Sequence, residues 1–293
     1  MGTHQAVSGS LDPPGSISRR SFIGSIVFSV ASTKSIGPVG DRGDGLLRQA
    51  STGSDSWAFH AYDSRGTRSS SNVSAPSNVA ATVWTFGELA SSPPVVADGT
   101  AYFGTQAGVV NAVDATTGAE RWSRNLSHDG IEASPVISSG TVYVLTTDGT
   151  LYALDASDGS TNRSSNLNGS DPTSPVLHRG RLYLSTSEAI LSVDSDEGSV
   201  VWSYETGASS GMSPSVDDSG VYFADAGYVH RLRRWDGEEL WSTYIGGSLN
   251  SVVIDGENVY VASGSIGSYS KRSGQEMWST GARGNVVGRP ALH

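Results

Sequence analysis

The residue types that most often carry chemistry are scattered in this chain. Histidine stands at His4, His60, His128, His178, His230 and His293, with no pair at a metal-ligand spacing. There is no cysteine, which removes thiolate nucleophiles, cysteine-ligated zinc, iron–sulfur clusters, disulfides and anchoring through an N-terminal lipidated Cys. Serine is abundant, yet nothing resembles Gly-x-Ser-x-Gly beside a plausible base, and no phosphate loop is present. The sequence therefore predicts no catalytic residue, no metal site and no cofactor. What remains is binding chemistry, carried by short polar segments: Asn125–Glu132, Asn168–Asp171, Thr206–Ser210, Gly246–Asn250 and Ala282–Asn285. Their candidate binding residues are His128, Asp129, Glu132, Asp171, Asn250 and Arg283. A small, polar rim of mixed charge fits a peptide loop, a sugar or a cation.

These segments recur because the chain repeats. Ala112–Trp122, Ala153–Arg163 and Ser192–Trp202 superpose without gaps, and Trp235–Trp241 and Ser273–Trp278 are shorter copies. In all five a Gly lies four residues before the Trp position, which Arg163 occupies once. Starting from Trp84, successive anchors are 38, 41, 39, 39 and 37 residues apart. A second element, Ser-Pro followed by apolar residues, keeps the same phase at Ser92, Ser134, Ser174 and Ser213. An alternating strand such as Thr141–Leu145 or Arg181–Ser185 follows each turn. Every repeat thus reads as four short strands and contains no helical period. A tandem four-stranded unit of about 40 residues is a propeller blade, since one such sheet buries both faces only when its neighbours stack on it. The expected fold is an all-β propeller of five complete blades and an incomplete sixth.

Within each blade the chemistry of the turn is legible. Asp114, Asp155 and Asp194 are placed to accept backbone N–H bonds between the third and fourth strands, and Gly118, Gly159 and Gly198 to supply positive φ. The tryptophans then fill the gap between wedge-shaped blades, and so are structural. The five candidate segments join the Trp strand of one blade to the Ser-Pro strand of the next, which gathers them at one mouth of the central channel.

The pattern Ala-x-Asp-x-x-(Thr/Asp/Glu)-Gly-x-x-x-Trp, best formed over Ala112–Trp122 and followed by Ser-Pro-Val and Val-Tyr, resembles the quinoprotein (pyrroloquinoline quinone-like) propeller repeat. The resemblance covers about residues 79 to 293. It implies relatives of several kinds: quinone- and calcium-dependent alcohol dehydrogenases, a lipoprotein subunit of outer-membrane protein assembly, and extracellular proteins. The dehydrogenases of the family carry eight blades, an adjacent cysteine pair, a calcium site of Glu and Asn ligands and an Asp base. None of these motifs has a match in this chain. The repeat family does not fix function, and with these motifs unmatched the expected function is a noncatalytic scaffold that binds a protein or cell-surface partner. Its rivals are a quinone-dependent oxidoreductase and a propeller fragment without independent function. Trp84 supplies only the outer strand of a further blade and Gly288–His293 restarts an inner one, so two middle strands are lacking: either residues 57 to 62 help fill that blade or, the favoured expectation, the chain is a piece of a longer propeller.

Charge and the N-terminus bound the setting. The 293 residues suffice to bury a core without disulfides. A net charge of −10 disfavours nucleic acid and anionic membranes as partners, because those require a basic field. Lys34 and Lys271 are the only lysines, and Asp outnumbers Glu 19 to 10. This balance resembles the acidic surfaces of halophilic proteins, and with the repeat it implies an exported type from salt-adapted archaea. Ser18-Arg19-Arg20-Ser21-Phe22-Ile23-Gly24 opens a short apolar run ending at Ala31, which resembles a twin-arginine export signal and is too short to span a bilayer. The expected organisation is a signal segment over 1–33, a Gly/Ser/Asp linker over 34–56 and a propeller over 57–293. The expected location is outside the cytoplasm, with no membrane span beyond an uncleaved signal.

Overall fold

The computed structural model describes residues 84–87, 90–126, 129–207, 211–247, 249, 251–263 and 265–281. The export signal, the linker, the segment from Trp57, the Gly288–His293 strand and the candidates His128, Asn250 and Arg283 lie outside the described residues.

Five antiparallel four-stranded sheets follow one another along the chain. Blade 1 comprises β1 (Val95–Ala97), β2 (Thr100–Gly104), β3 (Val109–Asp114) and β4 (Glu120–Asn125). Blade 2 is β5 (Val136–Ser138), β6 (Thr141–Leu145), β7 (Thr150–Asp155) and β8 (Thr161–Asn166), and blade 3 is β9 (Val176–His178), β10 (Arg181–Ser185), β11 (Ala189–Asp194) and β12 (Val200–Glu205). Blade 4 runs through β13 (Ser215–Asp217), β14 (Gly220–Asp225), β15 (Tyr228–Leu232) and β16 (Glu239–Tyr244). Blade 5 ends the series with β17 (Ser251–Asp255), β18 (Asn258–Ala262), β19 (Ser265–Ser270) and β20 (Glu276–Gly281). The first strands are innermost: β1 approaches β5, and β13 approaches both β9 and β17. The fourth strands β4, β8, β12, β16 and β20 face outward and are mostly exposed. This is the propeller expected from the period.

The core is a series of layers between blades rather than one central mass. Val110, Ala112 and Trp122 of blade 1 pack with Ile137, Val142 and Leu154 of blade 2. Tyr183 and Trp202 of blade 3 pack likewise with Val221, Phe223 and Leu232 of blade 4. Stacking on a neighbour is what buries each two-faced sheet, so each blade depends on the next.

One turn builds every interface. Asp114 Oδ1 accepts the N–H groups of Thr116 at 3.0 Å and Thr117 at 2.9 Å. Asp155 and Asp194 do the same for Ser157 at 2.8 Å and Asp196 at 2.9 Å. The turn closes through Gly118, Gly159 and Gly198, at φ 73°, 71° and 70°. A one-residue bulge falls at the same place in all five blades, from Ala112/Val113 to Ser268/Tyr269. The glycine has a second reason beyond its φ: a Cβ on Gly159 would sit 2.6 Å from Trp122 Cε3 of the preceding blade. The indole N–H of that tryptophan donates to Ala156 O at 2.9 Å. Trp84, Trp202 and Trp241 repeat the arrangement on Ala115, Arg234 and Lys271, at 3.1, 3.0 and 2.9 Å. Trp84 thus stands to blade 1 as Trp122, Trp202 and Trp241 stand to the blades that follow them.

Two positions depart from the pattern. Arg163, in the tryptophan place, lies against Gly198 and donates from its guanidinium to Ser195 O at 2.6 Å and to Asp196 O. It substitutes two charged hydrogen bonds for one indole bond and its apolar face. Trp278 is the other exception, 48% exposed where Trp122 and Trp202 are 6% and 7%.

Candidate functional site

The loops between blades and the hairpins joining second to third strands share one end of the propeller, and backbone hydrogen bonds tie them into a belt. Ile131 N donates to Thr105 O at 3.0 Å, and Thr147 N to Gly130 O at 2.9 Å. In the next loop Asp171 N donates to Thr147 O at 3.0 Å, and Ser187 N to Ser170 O at 3.1 Å. Small residues let the belt close. A Cβ on Gly149 would lie 1.8 Å from Gly169 O. Serines of the Ser-Pro element reinforce it from within: Ser92 Oγ accepts Gly104 N at 2.7 Å, and Ser174 Oγ accepts Ser134 N at 2.9 Å.

Of the candidates within the described residues, Asp129 and Glu132 are exposed on the loop between blades 1 and 2. Asp171 is exposed on the loop between blades 2 and 3 and adopts φ 50°. Asp148 joins them from the hairpin of blade 2, where Thr146 Oγ1 at 2.5 Å and Thr150 N at 3.0 Å hold its carboxyl below the usual range. Burial pushes the Tyr152 hydroxyl up, and the charges of Asp148 and Asp129 add to the shift. That hydroxyl donates to Leu126 O at 3.1 Å. This part of the belt is an exposed acidic arc.

A second constellation was not legible in the sequence. Phe223 and Asp225 project from one face of β14, and pairing places His230 opposite Phe223 and Tyr228 opposite Asp225. Ser242 and Tyr244 continue the same face on β16. Tyr204 of β12 approaches it from blade 3. His230 stacks on Phe223 with ring centroids 4.7 Å apart, and its Nδ1 lies 2.9 Å from Glu239 Oε2. Tyr204 donates to the same carboxylate oxygen at 2.5 Å, and Ser242 Oγ to Oε1 at 3.1 Å. Burial, the bond to Glu239 and the charges of Glu239 and Asp225 push Tyr204 up to about 12. Burial alone would raise Glu239, but bonds from Tyr204, His230 and Ser242 outweigh it and hold its carboxyl low. His230 is thus a largely buried strand residue and no solitary loop side chain. Its partners come from a separate strand and a separate blade, so spacing could not announce them. Among the described residues no three His, Asp or Glu side chains converge as metal ligands.

Residues 44–280 match the protein family described as outer membrane protein assembly factor BamB. Comparison with curated proteins finds no match. Among solved structures, the chain is similar to a quinohemoprotein alcohol dehydrogenase from Comamonas testosteroni at 16% identity and TM-score 0.63, covering 77% of this chain and 49% of that one. A europium-containing methanol dehydrogenase follows at 15% identity and TM-score 0.60, with 77% and 58% covered. BamB from Moraxella catarrhalis aligns at 18% identity over 70% of this chain and 81% of that one, with TM-score 0.48. The chain spans about half the length of the Comamonas enzyme. At these identities the two dehydrogenases show a shared fold alone.

Proposed function

Because this chain belongs to the pyrroloquinoline quinone-like propeller family described as outer membrane protein assembly factor BamB, we propose that it is a noncatalytic scaffold. On this reading it works outside the cytoplasm and binds a protein or cell-surface partner through its loop end. The observation that carries the reading is the hydrogen-bonded belt, which presents Asp129, Glu132 and Asp171 on loops tied to the neighbouring hairpins by backbone bonds. An exposed, charged rim whose backbone is already hydrogen-bonded offers partner recognition at small ordering cost. The absence from the sequence of the cysteine pair and of the calcium and base motifs of quinone enzymes supports a binding role.

Co-purification from cell-envelope fractions tests the site. Replacing Asp129→Asn, Glu132→Gln and Asp171→Asn together is expected to abolish capture of the partner. Asp98→Asn with Glu120→Gln, at the opposite end, is expected to preserve it. Equal capture by both variants, or loss only with the second, contradicts the assignment.

Export through Ser18–Gly24 belongs to the same proposal. Twin-arginine transport distinguishes paired guanidinium groups from ammonium groups. Changing Arg19 and Arg20 to lysine should retain the protein inside the cell, and normal secretion of that variant would refute the export route.

A further inference from the structure

We propose that the cleft between blades 3 and 4, at the loop end, binds an organic cation, the guanidinium or alkylammonium head of a basic ligand. Asp225 is its anchoring carboxylate and tyrosines form its walls. The site is separate from the acidic arc of blades 1 to 3, and its occupancy by a free cation does not depend on the scaffold reading.

Asp225 closes β14 and is 8% exposed. Its Oδ2 accepts the N–H of Gly207 at 2.8 Å, while Oδ1 is buried without a hydrogen-bond partner. A buried carboxylate oxygen left unpaired is costly, and a donor carrying positive charge relieves the cost best. One residue before Gly207, Thr206 Oγ1 is also buried and unpartnered. Two unpaired polar atoms thus flank the Gly207–Asp225 bond along the chain, and a ligand with several N–H groups has more than one acceptor to satisfy.

The surroundings select the kind of cation. Tyr228 pairs with Asp225 across the hairpin, and the Tyr228 and Tyr244 rings stand 4.9 Å apart. These rings are 41% and 67% exposed, so a ligand can reach them from solvent. Tyr204 of blade 3 packs on Phe223 and His230 of the same face, with its hydroxyl bonded to Glu239. Neither Asp225 nor Glu239 has a lysine or arginine partner among the described residues. Aromatic faces beside a carboxylate attract a diffuse, weakly hydrated cation through the ring quadrupole. A small hard metal ion would require more oxygen ligands than Asp225 and Thr206 present.

The test is calorimetric titration of the purified protein at low salt with Nα-acetyl-argininamide, against Nα-acetyl-citrullinamide as the uncharged isostere. The arginine probe should bind saturably, and the citrulline probe about tenfold more weakly or worse, since the charge-assisted bonds are lost. Asp225→Asn keeps the acceptor for Gly207 N–H and should weaken the arginine probe by a similar factor. Tyr244→Ala alters an exposed side chain and should weaken it several-fold, which keeps the test decisive if the Asp225 variant fails to fold. Glu132→Gln, on the acidic arc, should leave the affinity unchanged. Equal binding of the two probes, no saturable binding of either, or an affinity indifferent to both cleft variants overturns the proposal.

Discussion

At the scale of single residues, the interface tryptophan shows how much one repeated position carries. Trp202 is buried between blades 3 and 4 and bonded to Arg234 O. Truncation to Ala is expected to cost ~3–5 kcal/mol, as for other buried aromatic residues. Arg163 holds the equivalent place by hydrogen bonds to the Ser195 and Asp196 carbonyls. Its loss should cost less, about 1.5–3 kcal/mol, the range for hydrogen bonds to a charged group. Denaturant unfolding of the two variants checks the order, and equal losses would count against this reading of the interface. The Asp, Gly and Trp of the turn were legible because local geometry demands them. Arg163 was visible only as a gap in the pattern, since what a guanidinium can reach depends on the blade beside it. The same holds for His230, Glu239 and Tyr204, which meet across two strands and two blades.

At the scale of the element, the period revealed four strands per blade, and the structure adds why the turn glycine is irreplaceable. Gly140 and Gly159 have nearly the same φ, 75° and 71°. Nothing lies within 4 Å of a Cβ built on Gly140, whereas one on Gly159 meets Trp122 at 2.6 Å. Gly140→Ala should therefore cost only the left-handed backbone penalty, roughly 1–2 kcal/mol. Gly159→Ala should cost more, because the blade interface must also open. Thermal unfolding of the pair measures the difference, and matching melting temperatures would show that the interface yields freely. The loops were legible as polar connectors gathered at one end. Their tie into a belt was not, because backbone bonds such as Thr147 N to Gly130 O leave no mark on side-chain composition.

At the scale of the whole molecule, each blade buries its faces on its neighbours, and the loops meet solvent at one end. The propeller architecture is shared by enzymes and assembly factors alike, so the fold alone does not choose between them. The proposed choice rests on side chains: the acidic arc of Asp129, Glu132 and Asp171 and the tyrosines beside Asp225, which a binding role would use. The most direct test is to supply the purified protein with pyrroloquinoline quinone and calcium in high salt, and follow quinone absorbance and alcohol-dependent dye reduction. The noncatalytic account predicts that no quinone is retained through gel filtration and that added alcohol leaves the dye oxidised. Quinone retained at unit stoichiometry, or dye reduction that rises with alcohol, would contradict it.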